Sequence, residues 1–356
     1  MNYMQIAATE NTIYTSPDAS KIFCYTPSII VTPTGRLIVS FDLGGEGVKS
    51  IEGHKSSRAG GSRFGQGKIF ISDDNGQKWT FVQNFPFWHA RLFTIGNSIY
   101  LIGHAGDICI MKSEDNGESW SDTYFLTHGE KWHSSACNVL FSNGNVYLAM
   151  EQRCRLNEVT GWDVAGLSPT LFRACVEDNL CLASSWSRSE KFIYKEVFDG
   201  AKLDFFGIPF YDCETNKPKE IATGINNAPL GWLEANVVKF VDKDHIWHTD
   251  LKEVFHLFLR AHTGGVNYAH LFKIEIQDDQ SMIPSLEHTP SGQKISYIPF
   301  PGGHLKFFII YDELTRFYWL VSNQATDSMR RVSSLSNIKR LIMNDTGYNF
   351  IFQGIA

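Results

Sequence analysis

The sequence predicts an all-β chain, and three observations carry the prediction. Aromatic residues are abundant, with 26 Phe, 13 Tyr and 9 Trp in 356 residues, and aromatic side chains suit a pleated, half-buried surface. Short apolar runs of about four to eight residues alternate with turn residues, which is the strand and hairpin pattern. A turn of the form Ser-x-Asp-x-Gly-x-x-Trp also occurs twice, each time after an apolar run.

In chain order, Ser28 to Val31 and Arg36 to Phe41 flank Pro33-Thr34-Gly35 as a first hairpin. The same form returns at Ala90 to Gly103 around Gly96-Asn97, and at Cys137 to Met150 around Asn143-Gly144. It returns again at Asn236 to Arg260 around Asp242 to Asp250, and at Lys306 to Ser322 around Asp312-Glu313. No helical stripe interrupts these hairpins. Repetition at tens of residues marks a radial or solenoid array, and a propeller blade is a four-stranded sheet of about that size. The expectation is a β-propeller of four-stranded antiparallel blades, five or six in number, forming one domain over residues 1–356. Blades should begin near residues 24, 90, 136, 232 and 304, with Asn11 to Phe23 available to complete a ring.

The repeated turns are Ser72-Asp73-Asp74-Asn75-Gly76-Gln77-Lys78-Trp79 and Ser113-Glu114-Asp115-Asn116-Gly117-Glu118-Ser119-Trp120. Asp345-x-Gly347-x-x-Phe350 is a degenerate third copy. Their chemistry is local: Asp and Ser bond the main chain of the turn, Gly supplies a positive φ, and the aromatic residue tucks beneath the hairpin. They read as structural pins rather than as binding groups.

Charge and spacing exclude several classes. The formal net charge of −6 is spread over mixed residues, with no basic run to track a phosphate backbone, so nucleic acid is not an expected partner. No stretch of about 18 apolar residues could span a membrane. Met1 to Ser16 shows no signal peptide, which leaves work inside the cell or export with the signal removed. The 7 cysteines include no CxxC pair, so buried free thiols are expected rather than a zinc site or a disulfide framework. No cofactor is expected.

At these turns the sequence resembles the sialidase superfamily, whose propeller blades carry this repeat as the Asp box, or BNR repeat. The resemblance runs roughly from Tyr25 to Ala356 and implies a carbohydrate-active enzyme of glycoside hydrolase type acting on an acidic or decorated glycan. The family's opening motif corresponds to Cys24-Tyr25-Thr26-Pro27, the turn Pro33-Thr34-Gly35 and the strand Val39-Ser40-Phe41-Asp42. Tyr25 stands where the family has the first arginine of a carboxylate-binding triad. A second motif, a Glu-bearing strand followed by an Arg on the next, corresponds to Trp232-Leu233-Glu234-Ala235-Asn236-Val237-Val238 and His256-Leu257-Phe258-Leu259-Arg260. The resemblance implies a catalytic role for Glu234 and substrate binding by Arg260. The residues alone equally allow an ion pair that holds the blade. An acid/base Asp is implied on the loop after the first hairpin. The glycine-rich segment Gly44 to Gly67 contains none, which leaves Asp42 at its root, with His54 as a proton carrier near neutral pH.

Several basic residues fall beside aromatics at strand ends: His89, His104, His133, Arg153, His262 and Lys306, with the phenol of Tyr25, join Arg260 as expected substrate contacts. Aromatic platforms beside Arg, Lys and His suit a sugar bearing a carboxylate or sulfate. A different chemistry is open to the same set. A polysaccharide lyase acting on uronate glycans would use His89, His104, His133 and Arg153, and a non-catalytic glycan-binding propeller would use them only to hold sugar. His245-x-x-His248 reads as a solvated hairpin tip.

Overall fold

The computed structural model describes residues 11–57, 64–135, 137–154, 164–197, 219–222, 225–227, 231–261, 267–303, 305–323 and 350–355. The chain divides into two compact units, Met1–Gly129 with Cys181–Ala183 and Glu130–Leu180 with Ser184–Ala356. Both are built from antiparallel meanders of the kind that form propeller blades.

The first unit holds two such sheets. One runs Phe23–Val31, Leu37–Gly44, Phe64–Ser72, Thr80–Phe85, and the other Trp88–Ile95, Ser98–Ala105, Asp107–Ser113, Tyr124–Phe125. Side chains alternate across a strand, so Val39, Phe41 and Leu43 pack on one face with Phe70, while Ile38 on the other joins Leu92, Leu101 and Met111 of the second sheet. Residues 11–22 form no strand, and the Asn11 amide instead donates to the Gly76 carbonyl at 2.9 Å.

The second unit continues the pattern. A third sheet pairs Trp132–His133 and Leu140–Ser142 with Asn145–Arg153, followed by Leu167–Cys175 and Ser187–Arg188. A fourth runs Leu233–Val238, Val254–Arg260, Tyr268–Ile276, Met282–Ser285. The fifth has three described strands, Phe307–Asp312, Phe317–Asn323 and Phe350–Ile355. In the fourth sheet Phe255, Leu257 and Leu259 pack with Tyr147 and Leu171 of the third, while Phe258 faces Phe307, Ile309 and Leu320 of the fifth. The first and fourth sheets thus bury both faces, which explains strands that read as nearly continuous apolar runs. The fold is all-β and of the β-propeller type, with all five expected hairpins in place.

The two repeated turns are alike in detail. Ser72 Oγ donates to Asp74 and accepts the Gly76 N–H, Asp74 accepts the Lys78 N–H, and Asn75 and Gly76 both have positive φ. Ser113, Asp115, Ser119, Asn116 and Gly117 repeat this set. Arg36, in the first hairpin, bonds Asp73 through two nitrogens and also reaches Glu118. The turns therefore pin hairpin ends together, far along the strands from Asp42. The third copy lies outside the described residues apart from Phe350.

Successive first strands are joined by polar clasps. Asn138 donates to the Val237 carbonyl and accepts the Val237 N–H, both at 2.7 Å. Asn236 does the same to Phe307 O and Ile309 N, both at 3.1 Å. In the first unit Ser28 Oγ accepts the Leu92 N–H at 2.9 Å. These side chains substitute for hydrogen bonds that neighbouring sheets cannot make as a ladder.

His270 lies wholly buried among Tyr194, Trp232 and Tyr297. Burial pushes its imidazole down to about 3. In the unfolded chain it titrates near 6.5, at about the value of a free histidine. Below that pH the unfolded state binds the extra proton, so this contribution to stability is intact above about pH 6.5 and is lost as pH falls towards 3. Replacing His270 with Phe should flatten the fall in unfolding free energy by about 1.4 kcal/mol per pH unit over that window. Urea melts at pH 7 and pH 5 measure the change.

Candidate functional site

Three first strands carry the same irregularity at the end opposite their hairpins. The pairing slips between Tyr25 and Ser28, between Trp88 and Arg91, and between Leu233 and Asn236. The residue inside each slip has left-handed backbone: Thr26 at φ 50°, His89 at 53° and Glu234 at 58°. For a residue with a Cβ this conformation costs about 1–2 kcal/mol, and such strain and such bulges concentrate at functional sites. The residue preceding each faces Asp42, His104 and Arg260 on the second strand. His89 and Glu234 thus share one position of the blade, and Asp42, His104 and Arg260 share another.

In the second unit the bulge turns Glu234 into a buried setting, with its side chain 5% exposed. One carboxylate oxygen takes Arg260 Nη1 at 3.4 Å and the other takes Lys306 Nζ at 3.5 Å. A buried carboxylate without cations would be strongly destabilised; here each oxygen has a cationic side chain within 3.5 Å. Glu151 lies beside this group and is 1% exposed. Its carboxylate accepts the N–H of Ala235 at 3.1 Å and bonds His133 Nδ1 at 2.9 Å. A carboxylate only accepts, so this bond puts a hydrogen on His133 Nδ1. Arg153 follows two residues after Glu151, on the same face of its strand.

In the first unit Asp42 is buried and accepts the main-chain N–H of His89 at 3.1 Å. His89 Nδ1 and His104 Nε2 lie 3.1 Å apart, a spacing that holds one shared hydrogen. Tyr25, paired with Asp42 across the strands, is 46% exposed, and its ring packs edge-on to Phe23 and over Gly44. His54 is solvent-exposed.

The structure therefore brings Glu234, Arg260 and Lys306 together, places His133 one carboxylate away through Glu151, and separately brings together Asp42, His89 and His104. His262 lies outside the described residues. Glu151 stands in the stretch Glu151-Gln152-Arg153, and only its pairing with His133 and Ala235 reveals it. His245 and His248 depart from the expected solvated tip: His245 stacks on Phe240 at 3.8 Å, and His248 bonds the Phe240 carbonyl and Asp250. Packing against an aromatic ring recovers more apolar burial than exposure to water would. Among the described residues no group of three or more His, Cys, Asp or Glu is placed to hold a metal ion.

No protein-family profile and no curated protein matches the chain. Solved structures do. An α-L-arabinanase of Penicillium chrysogenum complexed with arabinobiose is 12% identical over 89% of this chain and 82% of its own, with a TM-score of 0.44. An α-L-arabinofuranosidase of Fusarium graminearum, also with arabinobiose, is 10% identical over 88% and 77%, with a TM-score of 0.42. NanB sialidase from Streptococcus pneumoniae is 11% identical over 88% of this chain and 54% of its own, with a TM-score of 0.46. At such identities and scores, the activity has to be argued from this chain's own residues.

Proposed function

We propose that the chain is a glycoside hydrolase of sialidase-like type acting on an acidic glycan, with Glu234 as its central carboxylate. The observation that carries this reading is the setting of Glu234: a buried carboxyl group on a left-handed bulge, with Arg260 on one oxygen and Lys306 on the other. Most glycosidases work with two carboxyl groups at one glycosidic bond, although sialidases use a tyrosine nucleophile; in this reading Glu151, bonded to the residue after Glu234, is the second carboxyl group. Glu234 serves as the nucleophile or base at the anomeric carbon. Glu151, with His133 beside it, handles the proton of the departing oxygen. Arg260 and Lys306 also offer positive charge to a substrate carboxylate. In the first unit Asp42 is a separate candidate carboxylate, bonded to the main chain of His89, and His54 receives no role.

A lyase is the second reading, favoured by the Glu151–His133 bond with Arg153 nearby, since a positioned imidazole could take the proton beside a uronate carboxylate. The products separate the two. With a panel of sialylated and uronate-containing oligosaccharides, the expected result is a new reducing end without unsaturation. An ultraviolet-absorbing C=C product would establish the lyase instead. Retention of glycans without turnover would reduce the chain to a binding module.

A further inference from the structure

At the hairpin end of the fourth and fifth sheets, a cavity of about 580 Å3 opens on the loop that follows Val238. It is six residues along the chain from Glu234, roughly 20 Å at strand rise, and so is distinct from the proposed catalytic cluster. Its walls include Phe240, His245, Tyr311, Phe317 and Tyr318. These rings form one platform: Phe240 stacks on His245, Tyr318 lies 5.9 Å from Phe240 and 4.8 Å from Tyr311, and the Tyr318 hydroxyl is anchored on the Lys239 carbonyl. Phe317 remains 40% exposed.

Arg316 completes the wall and is the unusual member. Its backbone is left-handed at φ 58°, it is exposed, and among the described residues it forms no ion pair. Of the nearby carboxylates, Asp312, Glu313 and Asp242, none pairs with Arg316 among the described residues: Asp312 accepts the Leu314 N–H and the Thr315 hydroxyl, and Asp242 accepts the Asp244 N–H. A neighbouring cavity of about 410 Å3 on the same loop offers a contrast, because its lysines 239, 243 and 252 are each matched by Glu253, Asp250 and Glu275. A guanidinium without an ion-pair partner among the described residues, beside aromatic rings, suits a flat sugar face carrying a carboxylate.

We infer that this cavity is a second, non-catalytic binding site for an acidic pyranose, with the aromatic platform under the ring and Arg316 on its carboxylate. The inference does not depend on the hydrolase reading, because binding is measured without turnover. Sodium glucuronate is the probe and glucose the neutral control, followed by saturation-transfer NMR on the full chain. Arg316→Gly is the informative variant, since glycine adopts positive φ without strain and the hairpin keeps its turn. It should weaken glucuronate binding about tenfold or more, leave glucose weakly bound as before, and leave turnover of a small soluble substrate unchanged. Phe317→Ala should weaken both sugars. The inference is overturned if Arg316→Gly binds glucuronate like the parent protein or if glucose binds as tightly as glucuronate. It is equally overturned if Glu234→Gln loses the sugar while Arg316→Gly keeps it, which would put the sugar at the other end of the sheet.

Discussion

Glu234→Gln should lower kcat/KM by about 10^3-fold or more on any glycan the protein turns over, within the range expected for loss of an acid, base or nucleophile. The exchange keeps shape and burial, so the bulge at φ 58° has no new steric demand. What it removes is the negative charge that Arg260 and Lys306 share. Lys306 is 48% exposed and can turn to water, whereas Arg260, at 14%, loses one of its charged contacts while staying largely out of water. A loss of about 1–3 kcal/mol of stability should accompany the lost activity, which leaves the protein folded. Glu234→Gly gives an independent reading. Glycine accepts the left-handed backbone, and the emptied carboxylate position faces two cations, so added formate should be drawn in and restore part of the activity. Unchanged turnover in Glu234→Gln would identify the cluster as an ion pair that only holds the blade.

Much of the fold could be read from local sequence, because hairpins and their turns are local. Pro33-Thr34-Gly35, Gly96-Asn97 and Asn143-Gly144 each mark a tip, and the repeated Ser-x-Asp-x-Gly-x-x-Trp turns hold the bonds their composition implies. Glu234 and Arg260 were legible for a similar reason: they lie on consecutive strands, and a polar residue stands out in each apolar run. Glu151 was not. Its partners are the Ala235 main chain, 84 residues away, and His133, and a contact to a main-chain N–H leaves no mark on the partner's residue type. The bulges were hidden too, since Thr26, His89 and Glu234 have no side-chain feature in common that would signal left-handed backbone. In the tip around His245 and His248 the polar residues suggested water, but Phe240 and Trp247 supply aromatic surface that packs the rings inward.

Asn236→Ala should be strongly destabilising, at about 2–6 kcal/mol. The Asn236 amide satisfies the Phe307 carbonyl and the Ile309 N–H, and it is fully buried, so alanine leaves two main-chain groups without partners in an apolar setting. Each such group costs about 1–3 kcal/mol. Asn138→Ala should cost a similar amount through Val237. Because Val237 adjoins Asn236, the double variant should depart from additivity. Asn236→Asp tests the chemistry of the clasp: it keeps the acceptor for Ile309 but sets a carboxylate oxygen against the Phe307 carbonyl, so it should be no better than alanine. Urea unfolding with an unchanged m-value measures the loss, and a cost below about 0.5 kcal/mol would mean that apolar packing alone joins these sheets. Under the proposed hydrolase reading, the same clasp has a catalytic consequence. Asn236 sits two residues from Glu234, and Asn138 ties the third sheet, which carries Glu151, to the strand that carries Glu234. Loosening either clasp should therefore lower kcat at temperatures where the variant is still folded, because the two carboxylates must keep a fixed separation across one glycosidic bond.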